Sequence, residues 1–199
     1  EEAFKVLSDT TIFEVICGRI CPQKSQCEGS CIRGIKAEAT HIGELEKFVN
    51  EWAIDNGYEY KLEKEEQNGK NALVIGTGPA GIVVASELLK AGFEVDMYER
   101  DEIPGGILTY GIPDFRLSKD KVENVFNELK SLGAKIYTGK ELGKDFSLEE
   151  VSKKYDVVFL GIGAQKSTIY PLHETEKAGV YKSDEFLKAY NENKFIKDL

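Results

Sequence analysis

Four thiols and a run of glycines carry the chemistry that this chain's residue types allow. Cys17, Cys21, Cys27 and Cys31 form two Cys-x3-Cys pairs separated by five residues. Clustered cysteines in a chain without a secretory signal hold a metal more often than they form disulfides. Iron–sulfur clusters take thiolates on short turns with small neighbours. Gly18, Gly29 and Gly34 leave such room, and Pro22 follows Cys21 directly. Structural zinc also takes four cysteines, and unligated reduced thiols are a third reading. Further along, Gly76-Thr-Gly-Pro-Ala-Gly81 has the spacing of a dinucleotide-binding turn, with Glu99 at about the 20-residue offset expected for a ribose contact. Gly76 suits the tight turn, Gly78 the close approach of backbone to pyrophosphate, and Gly81 the packing of helix on strand. Pro79 and Ala80 open the helix, whose N-terminus favours phosphate. Glu99 can accept from both ribose hydroxyls and would repel a 2′-phosphate. The plainer alternative is a structural glycine turn.

These residues need particular elements to position them. Residues 1–16 read as a short helix and a loop, and residues 17–34 as an irregular cysteine segment. Apolar residues at Ile42, Leu45, Phe48, Val49, Trp52 and Ala53 recur at helical spacing, with Gly57 as the stop. The charged stretch 61–70 reads as a linker. Beyond it, strands at 72–75, 94–98, 135–138 and 156–160 alternate with helices at 79–91, from Ser118 to Leu132, from Ser147, and from Ser183. Ser118 is expected to cap its helix, and Ser147-Leu-Glu-Glu150 has capping-box spacing. Such alternation predicts an α/β fold with parallel strands and crossover helices. The fourth strand ends at Gly161-Ile-Gly163-Ala164, where an α/β sheet places its ligand crevice. The expected domains are 1–62, a small helical iron–sulfur domain, and 70–199, the N-terminal half of a Rossmann-like dinucleotide-binding domain.

The 199 residues carry a net charge of −9, which disfavours nucleic acid as a partner. No apolar run approaches membrane-spanning length and no signal peptide is evident, so a cytoplasmic location without membrane attachment is expected.

Six ordered motifs then carry a family resemblance: Cys17-Gly-Arg-Ile-Cys-Pro22, Cys27-Glu-Gly-Ser-Cys31, Ile42-Gly-Glu-Leu-Glu46, the glycine turn, Tyr110-Gly-Ile-Pro-Asp-Phe-Arg-Leu117 and Tyr155-Asp-Val-Val-Phe-Leu-Gly-Ile-Gly-Ala164. Together they resemble the small (beta) subunit of NADPH-dependent glutamate synthase, and are similar to the N-terminal part of dihydropyrimidine dehydrogenase. The resemblance implies an oxidoreductase in which electrons pass from NAD(P)H through FAD to [4Fe-4S] clusters, and a large-subunit or other electron-accepting partner. It implies that Cys21, Cys27 and Glu46 help hold one cluster and that Cys31 serves a second, with Cys17 part of the motif. Glu99-Arg100 followed by Pro104-Gly105-Gly106 favours FAD at the glycine turn by likeness to two-dinucleotide flavoproteins. Arg116 is expected near the flavin ring, Leu142 at the adenine end, and Gly106 and Gly163 along the crevice. No side chain is required as nucleophile or base, and His41 and His173 are poor catalytic candidates.

The family's upstream cluster cysteines and its second glycine loop, for NAD(P)H, have no counterpart in this sequence. The chain is therefore expected to be a piece of a longer protein, without an NAD(P)H site of its own. The rival expectation is a non-catalytic docking module with structural zinc or a vestigial cofactor site.

Overall fold

The computed structural model describes residues 1–58, 62–164 and 180–193. Its centre is a four-stranded parallel sheet ordered β3-β2-β1-β4: β1 is Asn71–Ile75, β2 Glu94–Tyr98, β3 Lys135–Tyr137 and β4 Val157–Leu160. β1 pairs with β2 from Asn71↔Glu94 to Ile75↔Tyr98 and with β4 from Ala72↔Val157 to Ile75↔Leu160. Flanked on both edges, β1 is apolar from Ala72 to Ile75, and Ala72, Leu73 and Val74 are fully buried. The chain builds outward from β1 through β2 to β3, then returns to place β4 on the other side. The reversal falls beside the C-terminal end of β1, where open α/β sheets bind ligands.

Helices fill the crossovers. α4 (Pro79–Lys90) joins β1 to β2, α6 (Lys119–Leu132) precedes β3, and α7 (Leu148–Lys154) precedes β4. Val122, Val125, Phe126, Leu129 and Leu132 give α6 one buried face at helical spacing. The Ser147 capping box forms in full. Ser118 does not cap with its side chain as expected. Asp114 takes that place, its Oδ1 accepting from the Lys119 amide at 3.1 Å. The long segment after β2 also contains an unforeseen helical turn, α5 (Ile107–Tyr110).

The N-terminal part is helical. α1 is Glu2–Thr10, α2 Glu14–Ile20 and α3 Ile42–Asp55. α2 extends into the segment read from sequence as irregular, so Cys17 is helical. α2 and α3 approach closely at Gly18, where a Cβ would lie 2.8 Å from the Lys47 amide nitrogen. Arg19 locks the pair, donating to Glu51 Oε1 at 2.7 Å. The stretch read as a linker is held against the sheet domain: Glu65 donates to the Lys90 carbonyl at 2.8 Å and Asn68 to that of Gly92 at 3.0 Å. Ile12 and Ile16 join the same apolar cluster as Val74, Leu89 and Phe126, so one core runs through both parts.

That seam also buries charge. Glu14 on α2 is buried with Oε2 unpartnered, while Oε1 accepts from Ser8 Oγ at 3.3 Å. Burial pushes its carboxyl up. Glu128 on α6 is pushed up to about 7, first by burial and then by the charge of Glu14, with Lys90 opposing. Between the unperturbed carboxylate range and about pH 7, the folded protein holds a proton that the unfolded chain has released. Stability must therefore fall as pH rises through that window and level off above it. We expect the urea midpoint to drop between about pH 5 and about pH 8, and Glu128→Gln to remove part of that drop. An unchanged pH dependence in the variant would show that Glu128 is not the group responsible.

Candidate functional site

The glycine turn places its three glycines in different circumstances. Gly76 ends β1 at φ +97°, and a Cβ there would lie 2.4 Å from the Gly161 carbonyl oxygen. At Gly81 a Cβ would lie 2.0 Å from the Gly76 carbonyl oxygen. Both positions need glycine for the protein's own backbone to close. Gly78 has an ordinary φ of −69°, and a Cβ there would meet nothing within 4 Å. It stands at the N-cap of α4, ahead of Pro79, with no side-chain cap. The space beside Gly78 is thus open at the positive end of a helix dipole. This is a cradle that a side chain would obstruct, and it fits the pyrophosphate of a dinucleotide.

Glu99 organises the rim. It is buried at the end of β2 and receives two bonds on Oε2, from the Thr77 amide at 3.0 Å and from Thr77 Oγ1 at 2.5 Å. Oε1 accepts from the Asp101 amide at 3.0 Å. The Thr77 hydroxyl in turn accepts from the Gly105 amide at 3.0 Å. A chain of hydrogen bonds thus runs from the glycine turn through Glu99 to the loop carrying Gly105 and Gly106. Gly106 lies against the turn: its Cβ would be 3.1 Å from the Gly78 Cα. Glu99 retains acceptor capacity on Oε1. Thr77 was not among the residues singled out from sequence, where it occupies a variable position of the motif. Its hydroxyl two residues before a prolyl helix start was the available signal.

The other expected residues are spread around this centre. Ala80 is exposed in the first turn of α4 and Arg100 is exposed beside Asp101, 3.9 Å from its carboxylate. Gly163 is exposed after β4. Arg116 is exposed on the turn after α5, without an ion pair among the described residues. Leu142 packs with Tyr98, Phe146 and Val158 around Leu73 and Ile75. His41 is exposed and contacts Glu38 at 3.1 Å, while His173 lies outside the described residues.

The cysteines suit an iron–sulfur centre by type but are not gathered into one. Cys17 and Cys21 lie within hydrogen-bonding reach at the end of α2; burial first, then Cys21 and Glu46, push the Cys17 thiol up to about 12. Glu46, half-buried on α3, is raised by burial. Cys27 is exposed, and Cys31 approaches Thr40 Oγ1 at 3.9 Å. Among the described residues, no three His, Cys, Asp or Glu side chains converge on one point. The cysteine loop is nevertheless tied to α2 and α3 by two residues that sequence reading passed over. Gln23 donates to the Cys17 carbonyl at 2.8 Å, and Glu28 Oε1 accepts from the Gly43 amide at 3.1 Å.

Comparison with known proteins follows this division. Residues 1–58 match the family model described as dihydropyrimidine dehydrogenase domain II, 4Fe-4S cluster, and residues 74–140 that of an NAD(P)-binding Rossmann-like domain. The fold is thus a Rossmann-like parallel sheet preceded by a small helical iron–sulfur-type unit. The chain is 34% identical over 188 residues to the glutamate synthase [NADPH] small chain of Escherichia coli (strain K12), covering 94% of this chain and 40% of that one. It is 40% identical over 171 residues to that of Azospirillum brasilense, covering 84% and 35%. Over most of its own length the chain is similar in sequence to these glutamate synthase small chains, and it spans about two fifths of the length of those relatives. Among solved structures, FprA from Mycobacterium tuberculosis (His57Gln mutant) aligns at TM-score 0.56 and 24% identity, over 61% of this chain and 29% of that one. A 2-naphthoyl-CoA reductase aligns at 0.51 and 21%, over 87% and 28%. These structural likenesses concern the fold.

Thr77→Val would leave the Gly105 amide without its acceptor and Glu99 with one donor fewer, in a buried setting. We expect a loss of about 1–3 kcal/mol, read from urea denaturation. Wild-type stability in that variant would mean that the bridge is not structural.

Proposed function

We propose that this chain is the iron–sulfur and first dinucleotide-binding part of an NAD(P)H-dependent flavin/iron–sulfur oxidoreductase of the glutamate synthase small-chain type. The observation that carries the proposal is the open space at Gly78. Nothing in the protein's own packing calls for glycine there, whereas a pyrophosphate laid on the N-terminus of α4 does.

In this reading Gly76, Gly78, Pro79, Ala80 and Gly81 hold the diphosphate of FAD with backbone amides. Glu99 receives a ribose hydroxyl on the oxygen with spare capacity. Gly106, set against Gly78, forms the adjoining wall, with Arg100, Leu142 and Gly163 further along the crevice. Arg116 supplies a positive charge, unspent on any ion pair among the described residues, suited to anionic reduced flavin. FAD, rather than NAD(P)H, makes use of the second glycine pair set against the turn. The chemistry FAD supplies when bound is the exchange between a two-electron hydride and single electrons. The protein contributes position and charge, without a nucleophile or general base.

Cys21, Cys27 and Glu46 are the candidate ligands of one [4Fe-4S] cluster and Cys31 of another, with Cys17 beside them. The sequence divides accordingly, with the cluster unit over 1–62 and the dinucleotide-binding unit from residue 70 onward. NAD(P)H, in the whole protein, is the reductant, and a large subunit of the glutamate synthase kind is the acceptor class. Among the described residues no helix is long and apolar enough to cross a membrane; a cytoplasmic location is part of the proposal.

Purification without oxygen tests the proposal. Iron with acid-labile sulfide and a flavin absorbance are expected. Zinc without either supports a docking module instead, and neither metal nor pigment removes the cofactor reading altogether. Gly78→Val sharpens the test, because the new side chain enters open space. Its melting temperature should match wild type while its FAD dissociation constant rises about tenfold or more, by flavin fluorescence titration. Unchanged FAD affinity would contradict the assigned site.

A further inference from the structure

The last described helix, α8 (Ser183–Asn191), is not part of the sheet's crossovers, yet its side chains fasten it to the loop that carries Gly105 and Gly106. Lys188 Nζ pairs with Asp101 Oδ1 at 2.9 Å and stands 4.6 Å from the centroid of the Tyr110 ring. It also lies 3.9 Å from Glu192 Oε1. Asn191 Nδ2 donates to the Tyr110 carbonyl at 2.8 Å. Tyr110 passes the restraint on, because its hydroxyl accepts from the Ile103 amide at 3.0 Å. The tethers fall at 101, 103 and 110, on both sides of residues 104–106.

On its far side the tethered segment is held by α6, where Lys119 Nζ donates to the Leu108 and Ile112 carbonyls and Leu108 enters the core, but residues 104–106 precede those holds. Gly105 and Gly106 are consecutive at φ +123° and +54°, and paired glycines have more backbone freedom to lose than any other pair. Inside the loop, Thr109 Oγ1 donates to the Pro104 carbonyl at 2.7 Å, and the Gly105 amide reaches Thr77. Those bonds join the loop to itself and to the glycine turn. The α8 contacts instead join it to a helix more than 80 residues away in sequence. An ion pair combined with a cation over an aromatic face gives Lys188 two partners in one geometry. A wall fixed before the ligand arrives spares the ordering penalty on binding.

We infer that Lys188, acting through Asp101 and Tyr110 with Asn191 beside it, is a positioning residue that holds the 104–106 wall of the dinucleotide crevice in its binding shape. The inference rests on the FAD reading above, and it assigns α8 the role of a clamp on the cofactor site.

Hydrogen exchange and FAD titration of the same chain test it together. In Lys188→Met, peptides spanning 101–110 should exchange about tenfold faster without FAD, with the rest of the sheet unchanged, and FAD affinity should fall about tenfold. Lys188→Arg, which keeps both charge and ring contact, should restore most of both. Wild-type exchange and affinity in Lys188→Met would overturn the inference while leaving the FAD site standing. Wild-type chain that binds no FAD would overturn the cofactor reading, and with it this assignment. Should Lys188→Met melt early, Asp101→Asn, which removes the ion pair from the loop side, is expected to give the same local exchange and weaker FAD binding. A wild-type result there overturns the inference equally.

Discussion

One hydroxyl group joins the parts of the proposed cofactor crevice. Thr77 Oγ1 gives its hydrogen to the Glu99 carboxylate and takes one from the Gly105 amide. Through it the end of β1, the end of β2 and the loop after β2 become a single hydrogen-bonded rim. A buried carboxylate without partners is costly; here the three donors from Thr77 and Asp101 answer for Glu99. The same bonds hold Gly106 against Gly78, so that the two glycines meet at one edge of the opening. Remove the hydroxyl, and the glycine turn and the adjoining loop keep their own internal bonds but lose this register with one another.

The helical unit that carries the cysteines is attached to this crevice by more than chain connectivity. Ile12 and Ile16 enter the core of the sheet domain, and the stretch from Leu62 lies along the end of α4. The seam also contains Glu14, Glu128 and Lys90, an uneven charge balance of two carboxylates and one amine. Such an arrangement makes the packing of the two parts sensitive to protonation. It sets a helix of the cysteine unit and a helix of the dinucleotide unit in one continuous core. Among the described residues, the thiols themselves remain in pairs and single positions rather than in one converged set.

Much of the sheet domain was legible in the sequence, for physical reasons. β1 is apolar from Ala72 to Ile75 because neighbours cover both its edges and helices its faces. Gly133 and the Ser147 box announce helix boundaries through local chemistry that needs no tertiary partner. Less legible was whatever depends on distant residues. Ser118 looks like a cap, but Asp114 is better placed for the free amide. The 17–34 segment looked irregular because its helical turn is short and glycine-bearing, stabilised by contact with α3. The stretch read as a linker is charged, yet its backbone pairs with Lys90 and Gly92, which no local pattern reveals. Of the site, the glycines and Glu99 could be named from spacing. Thr77, Lys188, Gln23 and Glu28 act through bonds that only the folded chain creates.

The central claim is that a dinucleotide lies over the N-terminus of α4, on the surface where Gly78 and Gly106 meet. Titration of FAD into isotope-labelled protein, followed through backbone amide resonances, tests it directly. The account predicts that the amides of Gly78, Ala80, Gly81 and Gly106 shift first and furthest, with saturation at one equivalent. Shifts centred elsewhere on the molecule, or none at all at saturating FAD, would contradict it.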